Sequence, residues 1–196
     1  MCGRYQFTAE QSEEILQIIQ EVQDKCGTAA AKAIRQGEIT PGCKMPVLIG
    51  AKDRPTPELL VWGFKTPKSL LINTRAETAL ERLTFAESAR RRHCVVPSTG
   101  FFEWDGDKRK FHFFMSGAQE LYMAGIYDTR GGIPCYSILT TAANESMRGV
   151  HNRMPLVLER EQIEPWLYYL EATAEFLNMT PPQLSKELLD AQVGLW

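Results

Sequence analysis

The stretch that most constrains the fold is Phe101-Phe102-Glu103-Trp104, followed by Asp105-Gly106-Asp107 and the run from Lys110 to Met115. Strand formers, a turn rich in residues that tolerate unusual backbone angles, and strand formers again specify an antiparallel hairpin. The rest of the chain offers it partners. Met45 to Ile49 and Leu59 to Phe64 read as paired strands separated by Asp53-Arg54-Pro55 turn chemistry, and Cys94-Val95-Val96-Pro97 leads as a strand into the hairpin. Leu121 to Tyr127 and Tyr136 to Thr141 supply two more strands around Gly131-Gly132, and Leu156-Val157-Leu158 is a further apolar run.

Helical spacing predicts the flanking elements. Residues 9–25 form an expected surface helix, with Thr8 and Gln11 as a capping box and Ile15, Ile19 and Val22 recurring beside Leu16 and Ile18. A short helix is expected from Thr28 to Gln36, ended by Gly37. Residues 76–92 read as helical and close on Arg90-Arg91-Arg92, a basic run that complements the helix dipole, with a phosphate site as the alternative. Helical stretches are expected near 159–171 and 181–191. The expected fold is therefore α+β: one domain over residues 1–196, with a mainly antiparallel, barrel-like sheet flanked by helices. A core spans about residues 1–158 and a helical tail about 159–196.

Composition narrows the function classes. With 196 residues, 44% of them hydrophobic, the chain can bury its own core, and a net charge of -2 leaves any nucleic-acid binding to a local basic site. Five cysteines without CxxC spacing support neither a disulfide framework nor a zinc motif, so no metal or cofactor is expected. No signal peptide or membrane-spanning run is present, so a cytoplasmic protein without membrane partners is expected.

Five positions carry candidate chemistry. Removal of Met1 makes Cys2 an N-terminal cysteine, whose amine condenses with an aldehyde while its thiolate closes a five-membered thiazolidine ring. An unperturbed α-amine titrates at roughly 7.7 to 8.0, so part of it is unprotonated near neutral pH. Asn73 and Arg75 stand where the apolar run Leu70-Leu71-Ile72 turns polar. Glu103 lies among aromatic residues, where burial tunes a carboxyl group, although an exposed glutamate on a half-solvated strand fits the pattern equally. Of the histidines, His112 falls in an alternating strand and His93 beside arginines. His151 stands in a polar loop, where both surface and catalytic histidines are found.

Several blocks occur together in order: Met-Cys-Gly-Arg at 1–4, Trp62-Gly63-Phe64, Asn73-Thr74-Arg75-Ala76-Glu77-Thr78, Pro97 with Gly100-Phe101-Phe102-Glu103-Trp104, Ala124-Gly125-Ile126, Leu139 to Asn144, and His151-Asn152-Arg153-Met154-Pro155. This set resembles the SOS response-associated peptidase family, the abasic-site shielding proteins. The resemblance implies a protein, expected as a monomer, that binds abasic sites in single-stranded DNA. It would remove its own Met1 and crosslink Cys2 to the sugar aldehyde. By the same resemblance Asn73 holds the N-terminus or the open sugar, and Arg75 clasps a phosphate. Glu103 moves protons during imine formation and ring closure, and His151 protonates the sugar ring oxygen or assists reversal. Arg4 and Arg153 are further phosphate contacts. Trp62 and Phe64 resemble an apolar wedge that stacks on bases, with core packing as the open alternative for both.

The sequence departs from the family at Thr74, where alanine is common, at His93, and at Asn152, where aspartate is usual. It also lacks the family's valine-rich terminal strand. Two other functions fit the residues. A cysteine peptidase acting on other proteins would use Cys2, His151 and Asn73 as nucleophile, base and orienting group. A non-covalent binder of damaged or single-stranded DNA would rely on the arginines and aromatic residues alone.

Overall fold

The computed structural model describes residues 2–67 and 69–189. Its frame is two sheets that share a core. Strands β1 (Arg4–Phe7), β2 (Gly37–Ile39), β9 (Gly100–Trp104), β10 (Lys110–Phe114) and β15 (Ser185–Leu189) form one antiparallel sheet in the order β15-β10-β9-β1-β2. The larger sheet contains β3 (Lys44–Gly50), β4 (Pro55–Trp62), β7 (Asn73–Arg75), β8 (His93–Ser98), β11 (Leu121–Asp128), β12 (Cys135–Ala142), β13 (Arg153–Pro155) and β14 (Val157–Leu158). Within it the pairings β12-β4-β3-β8-β11 return to β12 and close a barrel-like ring. Among the described residues only the pairings of β12 with β4 and with β7 are parallel. A small ladder of β5 (Phe64–Lys65) and β6 (Leu70–Leu71) precedes β7.

Period-two alternation explains how one strand serves two layers. In β8, Cys94 and Val96 join the core between the sheets, while Val95 faces the helical side. In β11, Leu121 and Met123 point to the first core, and Tyr122, Ala124 and Ile126 to the second. The first core is built on Tyr5, Phe7, Ile39, Met45, Phe101, Phe113 and Tyr136. The second is covered by α4 (Ile163–Tyr168) and α5 (Thr173–Asn178) through Ile163, Trp166, Leu167 and Leu177. Buried His93 stacks on Trp166 at 3.8 Å, and burial depresses its pKa.

The expected strands form at the expected places, and β9 and β10 pair as the hairpin, with Phe111 opposite Glu103. The helices differ at their ends. Residues 9–11 make a short 3-10 turn, and α1 (Glu13–Cys26) starts at Ser12, whose Oγ accepts from the Ile15 amide at 3.0 Å. Thr8 makes no side-chain cap, so Ser12 takes that role, a bond worth about 1 kcal/mol. The second helix, α2 (Thr28–Lys32), follows Gly27 and is shorter than expected, and Gly37 opens β2. The stretch 76–92 is not one helix: a 3-10 turn at Ala76–Thr78 and α3 (Ala86–Arg91) are separated by turns.

The largest correction concerns the tail. Residues 185–189, expected as helix, form β15 on the edge of the five-stranded sheet, with His112 opposite Glu187. The remainder of the expected 181–191 helix, residues 190–191, lies outside the described residues. Backbone pairing with β10 outweighs the weak local signal of Ser-Lys-Glu-Leu-Leu. β15 thus covers the β10 edge of the five-stranded sheet. Among the described residues no helix is long and apolar enough to cross a membrane.

Candidate functional site around Cys2

The site is assembled where the two sheets meet. β1 runs antiparallel to β9, with Tyr5 opposite Phe101, so the chain just before β1 lies near the Glu103 end of β9. Gly100 makes the passage from β8 to β9 possible. It sits at φ 149, and a side-chain carbon there would come within 2.2 Å of His112 Nε2 and 2.5 Å of the Phe113 carbonyl oxygen.

Cys2 is fully buried, and its Sγ–H points to the Arg4 carbonyl oxygen at 3.6 Å. Burial pushes the thiol well above its ordinary pKa, and the charge of nearby Glu103 adds to the rise. Glu103 itself is 4% exposed.

β7 supplies the next pair. Its parallel pairing with β12 sets Asn73 opposite Ile138 and Arg75 opposite Thr140, so Thr74 points inward and Arg75 outward. Thr74 Oγ1 and Ser137 Oγ share a buried hydrogen bond of 2.8 Å, which satisfies the hydroxyl that stands where the family commonly has alanine. Asn73 Nδ2 donates to the Cys2 carbonyl oxygen at 2.8 Å. Its Oδ1 is buried without a hydrogen-bond partner among the described residues. Met1, whose removal the resemblance implies, lies outside the described residues.

Arg153 connects β7 to the histidine loop. Its guanidinium is bidentate to Glu77, at 2.5 and 2.9 Å, and also donates to the Thr140 carbonyl oxygen at 2.6 Å. The hydrogen bonds from Arg153 hold the Glu77 carboxyl below the usual carboxylate range despite partial burial, and the charges of Arg153 and exposed Arg75 assist. The Arg153 amide donates to His151 Nδ1 at 3.0 Å, and the same nitrogen lies 3.3 Å from the Arg153 carbonyl oxygen, so the backbone of residue 153 holds the ring in place. Charge interactions, hydrogen bonds and the shared strand β7 therefore link Glu103, Cys2 and Asn73 to Arg75, Glu77, Arg153 and His151.

Arg4 lies on the outer face of the smaller sheet. It donates to Glu38 Oε1 at 2.5 Å and sits 5.9 Å from the Trp104 ring centroid. Lys110 pairs with the same Glu38 and lies over the Phe102 ring at 4.2 Å. Against the upward push of burial, hydrogen bonds from Lys110 and Arg4 keep Glu38 below its ordinary pKa.

Trp62 and Phe64 are buried, and their wedge role is corrected. Trp62 is 0% exposed, packed between Tyr5 and stacked Tyr136, with Nε1–H donating to the Ile72 carbonyl oxygen at 3.0 Å. Phe64 is 5% exposed and packs on Phe85. Neither presents a face on which a base could stack, so the core-packing alternative describes both. Sequence reasoning missed Glu77 and Glu38 as the partners of Arg153 and Arg4. Pairing within the hairpin was the available signal for Lys110, which β10 sets opposite Trp104.

Fold and site define a sheet-built single domain organised around a cysteine at its second position. The SOS response associated peptidase (SRAP) family matches residues 1–194, and the chain belongs to that family. It is 28% identical over 177 residues to the abasic site processing protein YedK of Escherichia coli, covering 85% of this chain and 79% of that one. Over 135 residues it is 30% identical to the abasic site processing protein YoaM of Bacillus subtilis, covering 61% of this chain and 60% of the relative's length. A solved structure from Bacteroides thetaiotaomicron shares the fold, with a TM-score of 0.75 at 22% identity over 96% of this chain and 92% of its own.

Proposed function

We propose that this protein captures abasic sites in single-stranded DNA covalently, through a thiazolidine formed by Cys2 after removal of Met1. The observation that carries the reading is the setting of Cys2: its carbonyl is gripped by Asn73, its thiol lies within the field of Glu103, and an unpartnered Asn73 Oδ1 stands beside it. That oxygen suits an N–H or O–H donor, which a freed α-amine or an opened sugar supplies. The relatives named as abasic site processing proteins support the substrate class.

The chemistry proceeds in a definite order. His151 passes a proton to the ring oxygen of the abasic sugar as the bond from that oxygen to C1 breaks, and takes up the proton of the C1 hydroxyl, so the sugar opens to the aldehyde and the imidazole is left unchanged. The unprotonated Cys2 amine adds to the aldehyde carbon, and loss of one water gives the imine. Sγ then attacks the imine carbon, the thiol proton passes by way of Glu103 to the imine nitrogen, and the ring closes. Positioned acid-base groups of this kind contribute about 10²- to 10⁴-fold in rate. Arg75, Arg4 and Arg153 present charge to the flanking phosphates. Met1 must leave first, because an acylated nitrogen cannot form the imine, and Cys2 with Asn73 and Glu103 is the machinery for that self-cleavage.

The buried, proton-holding thiol fits this scheme better than turnover of other proteins, which needs an accessible thiolate. Met-free protein mixed with abasic single-stranded DNA should give an adduct that survives denaturation and is lost in Cys2→Ala. An equal adduct from Cys2→Ala would overturn the mechanism. Salt-sensitive binding with no adduct from either protein would leave the non-covalent alternative.

A further inference from the structure

The segment after α5 touches the histidine loop at two points. Asn144 Nδ2 donates to the carbonyl oxygens of both Pro181 and Pro182, each at 2.9 Å. Lys186 Nζ, on β15, donates to the Arg148 carbonyl oxygen at 2.9 Å. Between these ties Leu184 is buried in the core between the sheets, and Pro181 is buried as well.

Asn144 is also the organiser of the loop itself. Its Oδ1 accepts from the Ser146 amide at 3.0 Å and from Ser146 Oγ at 2.5 Å. The 3-10 turn Glu145–Met147 that follows receives, at the Met147 carbonyl oxygen, the amides of Val150 at 3.0 Å and His151 at 3.3 Å. The Ala143 amide closes the loop base on the Asn152 carbonyl oxygen at 3.1 Å. One side chain thus joins the backbone that sets His151 to the segment that continues as β15. β15 in turn pairs with β10, and β10 with β9, which carries Glu103.

We infer that residues 181–186 act as a strap that positions His151 through Asn144, which makes Asn144 a positioning residue for the proton transfer assigned to His151. The inference rests on the function proposed above for its catalytic consequence, and on geometry alone for its structural one. The strap ties the loop bearing one proton-moving group to the sheet bearing the other. The tail that the sequence marks as atypical then has a role at the site.

Asn144→Asp separates strap from cap. The aspartate keeps an acceptor for Ser146 but replaces the two donors by an oxygen facing two carbonyls. Two readouts on the full-length, Met-free chain test the inference. Amide hydrogen exchange at Val150 and His151 should rise about tenfold, the effect of losing hydrogen bonds of ordinary strength. Adduct formation should slow by a similar factor, about tenfold, with no further loss when Asn144→Asp is added to His151→Ala. Unchanged exchange would overturn the strap, and so would defects that multiply in the double variant. Should wild-type protein form no adduct, the proposed function falls while the exchange readout still judges the strap. If Asn144→Asp does not fold, Lys186→Met removes one exposed tie and is read by the same two measurements.

Discussion

Cys2 and Asn73 show how much of the site is decided by single side chains. Burial raises the pKa of the Cys2 thiol, which favours addition of the α-amine to the aldehyde as the first step. Adduct formation should therefore rise with pH through about 7.7 to 8.0, the range of an α-amine, and level off above it. A rate that kept climbing with thiol ionisation would place the thiol first. Asn73→Ala removes the 2.8 Å grip on the Cys2 carbonyl and should slow adduct formation about tenfold or more while leaving the melting temperature close to wild type. Trp62 behaves in the opposite way. Fully buried, it should cost about 3–5 kcal/mol on change to alanine, seen as a large drop in denaturation midpoint. Weakened DNA binding at unchanged stability would restore the wedge role. Period-two reasoning put Trp62 and Phe64 on one strand face, but Trp62 ends β4 against Tyr5 and Tyr136 while Phe64 opens β5 against Phe85, partners distant in the chain.

Elements were legible in proportion to how local their causes are. The hairpin of β9 and β10 carries its turn between its strands, and the structure has it as read. β15 carries no such signal: its residues Ser185 to Leu189 are largely exposed and polar, and only pairing with β10 makes them a strand. Of the basic run after residue 89, Arg90 and Arg91 stand in the last turn of α3, while Arg90 and Arg92 reach the Leu80 and Tyr127 carbonyl oxygens and Glu87. The position of β7 was not legible, because it is set by parallel pairing with β12 and by the hydroxyl pair of Thr74 and Ser137. Thr74→Ala alone strands a buried hydroxyl and should cost about 1–3 kcal/mol, whereas Thr74→Ala with Ser137→Ala should recover most of that loss. Additive losses in a chemical-denaturation cycle would show that the hydroxyl pair is not what joins the two strands.

For the molecule as a whole, opposite charges are set in pairs around Cys2. Arg4 is matched by Glu38 and Arg153 by Glu77, which fixes the guanidinium groups. The overall charge of -2 concealed this arrangement, because composition counts charges and not their partners. Glu77 has a lowered folded-state pKa, so its stabilisation is present above the unfolded value of about 4.3 and disappears as pH falls through the folded one. Glu77→Gln should therefore lose stability at pH 7 and differ little from wild type in strong acid. The loss should be modest because the side chain is nearly half exposed. The account stands or falls, however, on the covalent bond at Cys2. The decisive measurement is the mass and fragmentation of the N-terminal peptide after crosslinking Met-free protein to an abasic oligonucleotide. The expected peptide carries the sugar with loss of one water, has both nitrogen and sulfur of Cys2 blocked, and resists thiol alkylation. A sugar found on a lysine, with the Cys2 thiol free to alkylate, would contradict it.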